Sequence, residues 1–276
     1  MEINFTATQK QRLTELDAVG GTDGLVFNSV EERDQSFKDI NRELVHKNRE
    51  RLERLRRETL RPAVRELEYL LVRSLNDADF VEVTTPTTMS AGMLGRMGIT
   101  PKHPLYKQVY WLDKNTCLRP MLAPNLYYLL GHLEKTWPSP VRIFEVGQCF
   151  RKESKGARHL SEFTMLNLVE MGDQEESGKR LVELARMVMD ITGMDYRLDS
   201  ERSEVYGDTV DVVVNQTEVA SGATGPHRLD VNWNISQSWA GFGFGLERLV
   251  MVKENFQNIG RIGRSLIYQD GARLNI

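Results

Sequence analysis

Cysteine is scarce: Cys117 and Cys149 are the only two in 276 residues, and neither sits in a Cys-x-x-Cys pair or near histidine at metal-ligand spacing. That disfavours a disulfide scaffold and a structural zinc, and a reducing, cytoplasmic setting is expected. Long apolar runs are missing as well. The opening residues carry no apolar core of signal-peptide length, and no later segment approaches the roughly 18 apolar residues of a membrane span. No membrane partner is expected, and the Asn-x-Ser/Thr triplets at Asn4, Asn215 and Asn234 are read as chance. Nor is there an excess of either charge. Lys+Arg number 36 against 39 Asp+Glu, so any surface that binds nucleic acid has to be local. Internal repeats and low-complexity tracts are absent. What remains is a chain with 40% hydrophobic residues, enough for one sizeable core.

Residues 6–17 and 30–60 read as polar helices around a glycine-rich break, Gly20-Gly21-Thr22-Asp23-Gly24. Along the second, Lys47, Arg49, Arg51, Arg54, Arg56, Arg57 and Arg61 outnumber Glu50, Glu53 and Glu58, a pattern typical of a solvated face. Pro62 opens a strongly amphipathic helix with Val64, Leu67, Leu70, Leu71 and Leu75 at i, i+3, i+4 spacing. This stripe needs a partner surface. A short strand, Phe80–Thr84, follows and is closed by Pro86. Further strands are predicted at Val109–Leu112, Val141–Phe150, Phe163–Glu170, Thr209–Val214 and Glu218–Ala220, and helices at Asn125–Thr136, Gly178–Thr192 and Leu246–Glu254. Because several strands follow one another with no helix between them, the expected fold class is α+β, a largely antiparallel sheet flanked by helices. The expected division is a helical N-terminal arm over 1–61 and one main domain over 62–276.

Two stretches carry chemistry. Phe144–Glu153, a basic loop with Lys155, Arg158 and His159, and Ser161–Glu170 read as two strands and their connection. Period-two geometry puts Arg151 with Glu153 on one face of the first strand, and Phe163, Asn167 and Val169 on one face of the second. A cation, a ring and an amide then share one concave surface; the alternative is an ordinary hairpin with a charged tip. Gly241-Phe242-Gly243-Phe244-Gly245-Leu246-Glu247-Arg248 fails the dinucleotide fingerprint, because leucine occupies position 246. It reads instead as a strand that lets a ligand approach the backbone, followed by a helix whose first turns present Arg248 to a phosphate.

Phe150-Arg151-Lys152-Glu153 with its loop and following strand resembles motif 2 of the class II aminoacyl-tRNA synthetases, and Gly241–Arg248 resembles motif 3. The helix 63–75, its strand and Pro86 resemble motif 1, which builds the dimer interface in that superfamily. Leu118–Tyr127, Glu162–Asn167, Val205–Asp211 and Asp270–Asn275 are similar to the pyrrolysyl-tRNA synthetases, in the short form that lacks a separate N-terminal domain. No anticodon-binding domain is expected after motif 3.

The resemblance implies that ATP, with Mg2+, activates pyrrolysine or a related N-ε-acylated lysine, and that a homodimer transfers it to the amber-suppressor tRNA(Pyl). It also implies roles by position. Arg151 and Arg248 are the catalytic pair, and Glu153, His159, Leu160, Phe163, Glu218 and Ser221 complete the ATP site, with Glu218 and Ser221 on the metal. Glu218 and Ser221 have opposite parity on a regular strand, so both roles require a bulge between them. Ala123, Leu126, Tyr127, Leu130, Asn167, Val169, Tyr206, Ala223, Trp239 and Gly241 form the amino-acid pocket. It is mostly apolar and has no acid to pair an ammonium, so it rejects lysine and admits a long side chain with a neutral amide. Asn167 reads that amide, and Tyr206, on a mobile loop, reaches the ring. The N-terminal helices of this family contact tRNA, which gives the arginine-rich helix a second reading. Three other readings stay open: a class II enzyme for a different amino acid, an inactive tRNA-binding paralogue, and a ligase acting on a protein lysine.

The motif 3 reading makes Arg248→Ala the first test. The variant is expected to lose adenylate formation, and a wild-type rate of pyrophosphate exchange would exclude the reading.

Overall fold

The structure, a computed structural model, describes residues 2–18, 24–152, 156–172 and 176–276. Most of the glycine-rich break, Glu153 and Lys155 lie outside the described residues. Thr6 starts α1 (Ala7–Glu15) through a capping box with Gln9. The Ser29 hydroxyl, accepting from the Glu32 N–H, starts α2 (Val30–Arg54). A single π turn at Leu55–Thr59 ends on Leu60 in the left-handed region, and α3 (Ala63–Asp77) begins after Pro62. This arm has a small core of Phe5, Leu13, Leu16 and Leu44. Buried Asn48 ties it to the C-terminal residues: its amide N–H2 donates to Leu16 and Leu44 carbonyls, and its oxygen accepts the Arg273 N–H at 2.7 Å.

The chain continues through β1 (Val81–Glu82), β2 (Thr88–Ser90), α4 (Ala91–Arg96), α5 (Pro104–Gln108), β3 (Thr116–Leu118), α6 (Ala123–Leu133), β4 (Val141–Phe150) and β5 (Glu162–Met171). Then come α7 (Ser177–Thr192), β6 (Arg197–Ser203), β7 (Gly207–Val214), β8 (Thr217–Gly225), β9 (Trp239–Gly245), α8 (Leu246–Lys253), β10 (Tyr268–Gln269) and β11 (Ala272–Arg273). Seven strands form the main sheet in the order β1-β4-β5-β9-β8-β7-β6. Its pairs are antiparallel apart from β1 with β4. Among the described residues no helix is long and apolar enough to cross a membrane.

The pleat sends alternate side chains to two different surroundings. Leu166, Leu168, Phe242 and Phe244 point into a core closed by α3, α7 and α8. Val169 and Trp239 join a second cluster under α6, with Leu126, Tyr127, Leu130 and Trp233. The site lies on this second side.

Three sequence expectations change. Val64, Leu67, Leu71 and Leu75 are buried in the chain's own core, so that stripe needs no second protein, and Leu70 is not part of it, being 41% exposed. Residues 109–112 form no strand beyond one bridge, Trp111 to Cys117. The Asp113 carboxylate accepts the N–H groups of Asn115 and Thr116 and closes a tight turn, across which the Leu112 N–H donates to the Thr116 carbonyl and the Leu118 N–H to the Tyr110 carbonyl, both at 2.9 Å. The predicted Glu218–Ala220 strand runs on to Gly225, through residues too small to signal one.

These two leucines of α3 should separate cleanly. Leu71→Ala removes a side chain with no exposure and is expected to cost about 2–5 kcal/mol in urea denaturation. Leu70→Ala, on the solvent face, should stay within about 0.5 kcal/mol. Equal losses would contradict the packing.

Candidate functional site

On the second face of the sheet, β5, β9, β8 and α6 enclose a cavity of about 490 Å3. Its floor is bare backbone at Gly241, Gly243 and Gly245. A Cβ at Gly243 would stand 3.2 Å from the Asn167 amide oxygen, and one at Gly241 3.3 Å from Val169. The β5–β9 register explains this, since Asn167 lies opposite Gly243 and Val169 opposite Gly241. Glycine therefore opens the space that the neighbouring strand's side chains use.

One end of the cavity is aromatic. Tyr127 stacks on Tyr206 at 6.5 Å and on Trp233 at 5.7 Å, and meets the edge of Trp239 at 5.5 Å. The Trp239 indole N–H donates to Asp230 Oδ1 at 3.0 Å. Among the described residues the buried Asn167 Oδ1 has no hydrogen-bond partner. Burial pushes the Tyr127 hydroxyl pKa up, so the group stays neutral. An unpaired buried amide oxygen is costly, and a ligand that donates to it removes the cost.

The other end is charged. Arg151 donates through Nε to the Pro120 carbonyl at 2.9 Å, and its guanidinium lies 5.3 Å over the Phe163 ring. Arg248, in the first turn of α8, donates to the Glu218 carbonyl at 3.1 Å. The Glu218 carboxyl is half exposed, yet desolvation raises its pKa; Arg248 opposes that shift and Asp211 adds to it. Val212 pairs with Ala220 while Val213 pairs with Glu218, so Val219 is the extra residue of a β-bulge. The bulge settles the parity question, and Glu218 and Ser221 both line the cavity.

Ser221 also faces Asp211 across β7–β8, and Asp211 Oδ1 is buried with no hydrogen-bond partner among the described residues. These oxygen donors suit a hard cation such as Mg2+. Among the described residues no group of three His, Cys, Asp or Glu could hold a metal.

Two buried carboxylates hold this end together. Glu247, its pKa raised by burial, accepts the Thr164 N–H at 2.8 Å and the Thr164 hydroxyl at 2.9 Å, which pins the start of α8 to β5. Glu145 pairs with buried Arg119 at 2.7 Å, and Arg119 Nε donates to the Gln148 carbonyl at 2.8 Å. That fixes the Arg119–Pro120 backbone on which Arg151 rests. Cysteine takes no part: burial pushes Cys149 up to about 12 and Cys117 up to about 11, so neither is a ready nucleophile.

Arg151, His159, Leu160, Phe163, Glu218, Ser221 and Arg248, and all ten residues expected of the amino-acid pocket, meet around this one cavity. Glu153 is outside the described residues. The sequence reading gave no role to Asp211 or Glu247, although both lie within the stretches that carry the resemblance.

A model of the family described as tRNA synthetases class II core domain (F) matches residues 33–272. A crystal structure of pyrrolysyl-tRNA synthetase from Desulfitobacterium hafniense superposes with a TM-score of 0.93, at 49% identity over 99% of each chain. A second structure of that synthetase gives 0.92, again at 49% identity, over 99% of this chain and 98% of the other. The chain belongs to the class II aminoacyl-tRNA synthetases, in the pyrrolysyl family. The O-phosphoserine–tRNA(Cys) ligase of Methanocorpusculum labreanum is 24% identical over 176 residues, 60% of this chain and 33% of that protein. The synthetase thus spans about a third of the length of that relative.

Packing behind the aromatic end gives a test independent of substrate. A Cβ on Gly225 would lie 2.1 Å from the Trp239 indole nitrogen, whereas one on Gly178, in α7, meets nothing within 4 Å. Gly225→Ala is expected to destabilise the synthetase by about 1–3 kcal/mol and shift its tryptophan emission. Gly178→Ala should be neutral or gain up to about 1 kcal/mol. Denaturant titration followed by fluorescence checks both.

Proposed function

We propose that this synthetase is a pyrrolysine–tRNA ligase. With ATP it converts pyrrolysine, or a related N-ε-acylated lysine, to the aminoacyl adenylate, transfers it to tRNA(Pyl), and releases AMP and diphosphate. The observation that carries the reading is the unpartnered Asn167 amide oxygen in a cavity that ends in aromatic rings. An N-ε-acyl amide brings a neutral polar group to that depth and an apolar cap to the rings. Lysine itself would bring an ammonium, and Asp230, behind Trp239, has both oxygens engaged, by the Trp239 indole and the His227 N–H. The charge would stay unpaired, so lysine is rejected.

In the proposed mechanism Arg151 holds the substrate carboxylate against the α-phosphate, and Arg248 holds the γ-phosphate. Phe163 stacks on adenine, with the Arg151 guanidinium near the same ring, and His159, Leu160 and Glu153 complete the nucleotide contacts. Glu218 and Ser221, joined by Asp211, would hold Mg2+, which neutralises charge on the phosphates when bound. A carboxylate oxygen attacks the α-phosphorus in line, and the bond from phosphorus to diphosphate breaks. The tRNA terminal ribose hydroxyl then attacks the carbonyl carbon, and AMP leaves. Catalysis lies in positioning and in stabilising charge at phosphorus, so no protein nucleophile is needed.

The proposal includes a cytoplasmic homodimer. Because the inner stripe of α3 is occupied, its surface would use the outer side of that helix, where Tyr69, Leu70 and the neighbouring Val81 are exposed. The arm is proposed to contact tRNA. Lys47, Arg51, Arg56, Arg57 and Arg61 pair with glutamates, which leaves Arg49 and Arg54 as the basic groups of that segment with no ion pair among the described residues.

Aminoacylation of an amber-suppressor tRNA(Pyl) with pyrrolysine or an acylated lysine tests the reaction. Asn167→Ala tests the pocket: kcat/KM for the acylated lysine should fall by the equivalent of one buried hydrogen bond, about 1–3 kcal/mol, while a phenylalanine analogue improves. An unchanged ratio would mean that Asn167 does not read the substrate.

A further inference from the structure

Tyr206 closes the aromatic end from the turn between β6 and β7, and β6 is the edge strand of the main sheet. Three side chains hold that turn. The Ser203 hydroxyl accepts the Tyr206 N–H at 2.9 Å, and Arg228 donates to the Val205 carbonyl at 3.3 Å. His227 Nε2 lies 2.8 Å from the Tyr206 carbonyl oxygen. The His227 tautomer follows from its other nitrogen. Nδ1 accepts the Leu229 backbone N–H at 3.2 Å, so the ring proton sits on Nε2 and points at the carbonyl.

His227 does not line the cavity. Its own N–H donates to Asp230 Oδ2 at 2.6 Å, and Asp230 Oδ1 accepts the Trp239 indole at 3.0 Å. One chain of hydrogen bonds therefore joins Trp239 on the cavity wall, through Asp230 and His227, to the backbone of Tyr206 across from it. The rings of Tyr206 and Trp239, 6.4 Å apart, are the two surfaces so linked.

We infer that His227 is a positioning residue that latches the Tyr206 turn over the cavity, and so sets how well the synthetase distinguishes a ring-capped acyl lysine from a short one. The substrate part rests on the acyl-lysine reading of the pocket; the latch does not. A short acyl group stops before Tyr206 and gains nothing from its placement. A ring cap needs it.

Two near-isosteric variants separate the ring nitrogens. His227→Asn keeps an acceptor for the Leu229 N–H but is too short to reach the Tyr206 carbonyl; His227→Gln can place an amide N–H where Nε2 stands. In His227→Asn, kcat/KM for a ring-capped acyl lysine should fall about tenfold through KM, the scale of one hydrogen bond. ε-Acetyl-lysine should stay within about twofold of wild type, because the acyl group ends short of the latch. His227→Gln should recover most of the loss. Hydrogen exchange over residues 203–207 in the ligand-free full chain should quicken in the Asn variant and stay near wild type in the Gln variant. Unchanged exchange in His227→Asn would overturn the latch, and equal losses for both substrates would overturn its role in selection. If wild type activates no acylated lysine while exchange still separates the variants, the latch stands and the pocket reading alone falls.

Discussion

The pairing of β5 with β9 is the constraint on which the rest depends. Asn167 opposite Gly243 and Val169 opposite Gly241 put small residues beside the side chains that need space, while Phe242 and Phe244 turn into the opposite core. A slip of one residue would exchange the two faces, driving phenylalanine into the cavity and glycine into the core. The core therefore protects the site's register. Leu166, Leu168, Phe242 and Phe244 pack under α3, α7 and α8 and resist such a slip more strongly than the cavity residues could.

Buried charge does a different job. Taking Arg119 and Glu145 out of water is expensive, and their mutual attraction with added hydrogen bonds roughly offsets it. The pair adds little net stability, but it admits one geometry, and the Arg119–Pro120 backbone that receives Arg151 is part of it. Glu247 does the same for α8 by holding Thr164, so Arg248 starts its helix at a set distance from β5. The two arginines approach the cavity from different elements, and each rests on backbone held by a buried carboxylate, Glu145 for Arg151 and Glu247 for Arg248.

The amphipathic stripe of α3 shows how a sound pattern can be read one step too far. Its periodicity does mark a buried face, but the surface it meets is built by α8, α7 and β4 of the same chain. Apolar spacing records that a face is covered and says nothing about which chain covers it. The basic segment 47–61 is similar, since glutamates pair with Lys47, Arg51, Arg56, Arg57 and Arg61 of a charge run that looked free in one dimension.

Local sequence by itself determined β4 and β5, the helices α3, α7 and α8, and the shared surface of Phe163, Asn167 and Val169, whereas most of the residues that meet at the cavity were named by the family resemblance. In those segments alternation, helical spacing and glycine content all act over a few residues. Residues with no such local signal were decided by tertiary structure. Edge strand β6, Arg197–Ser203, is too polar to read as a strand, and pairing with β7 makes it one. The bulge at Val219 exists only because β7 and β8 fall out of step, and only that step brings Glu218 and Ser221 to one surface. Asn48 on Arg273, and His227 on Tyr206, join segments far apart in the chain. Periodicity tells which side a residue faces, whereas register and long-range hydrogen bonds tell what it meets, and those follow from the whole sheet closing at once.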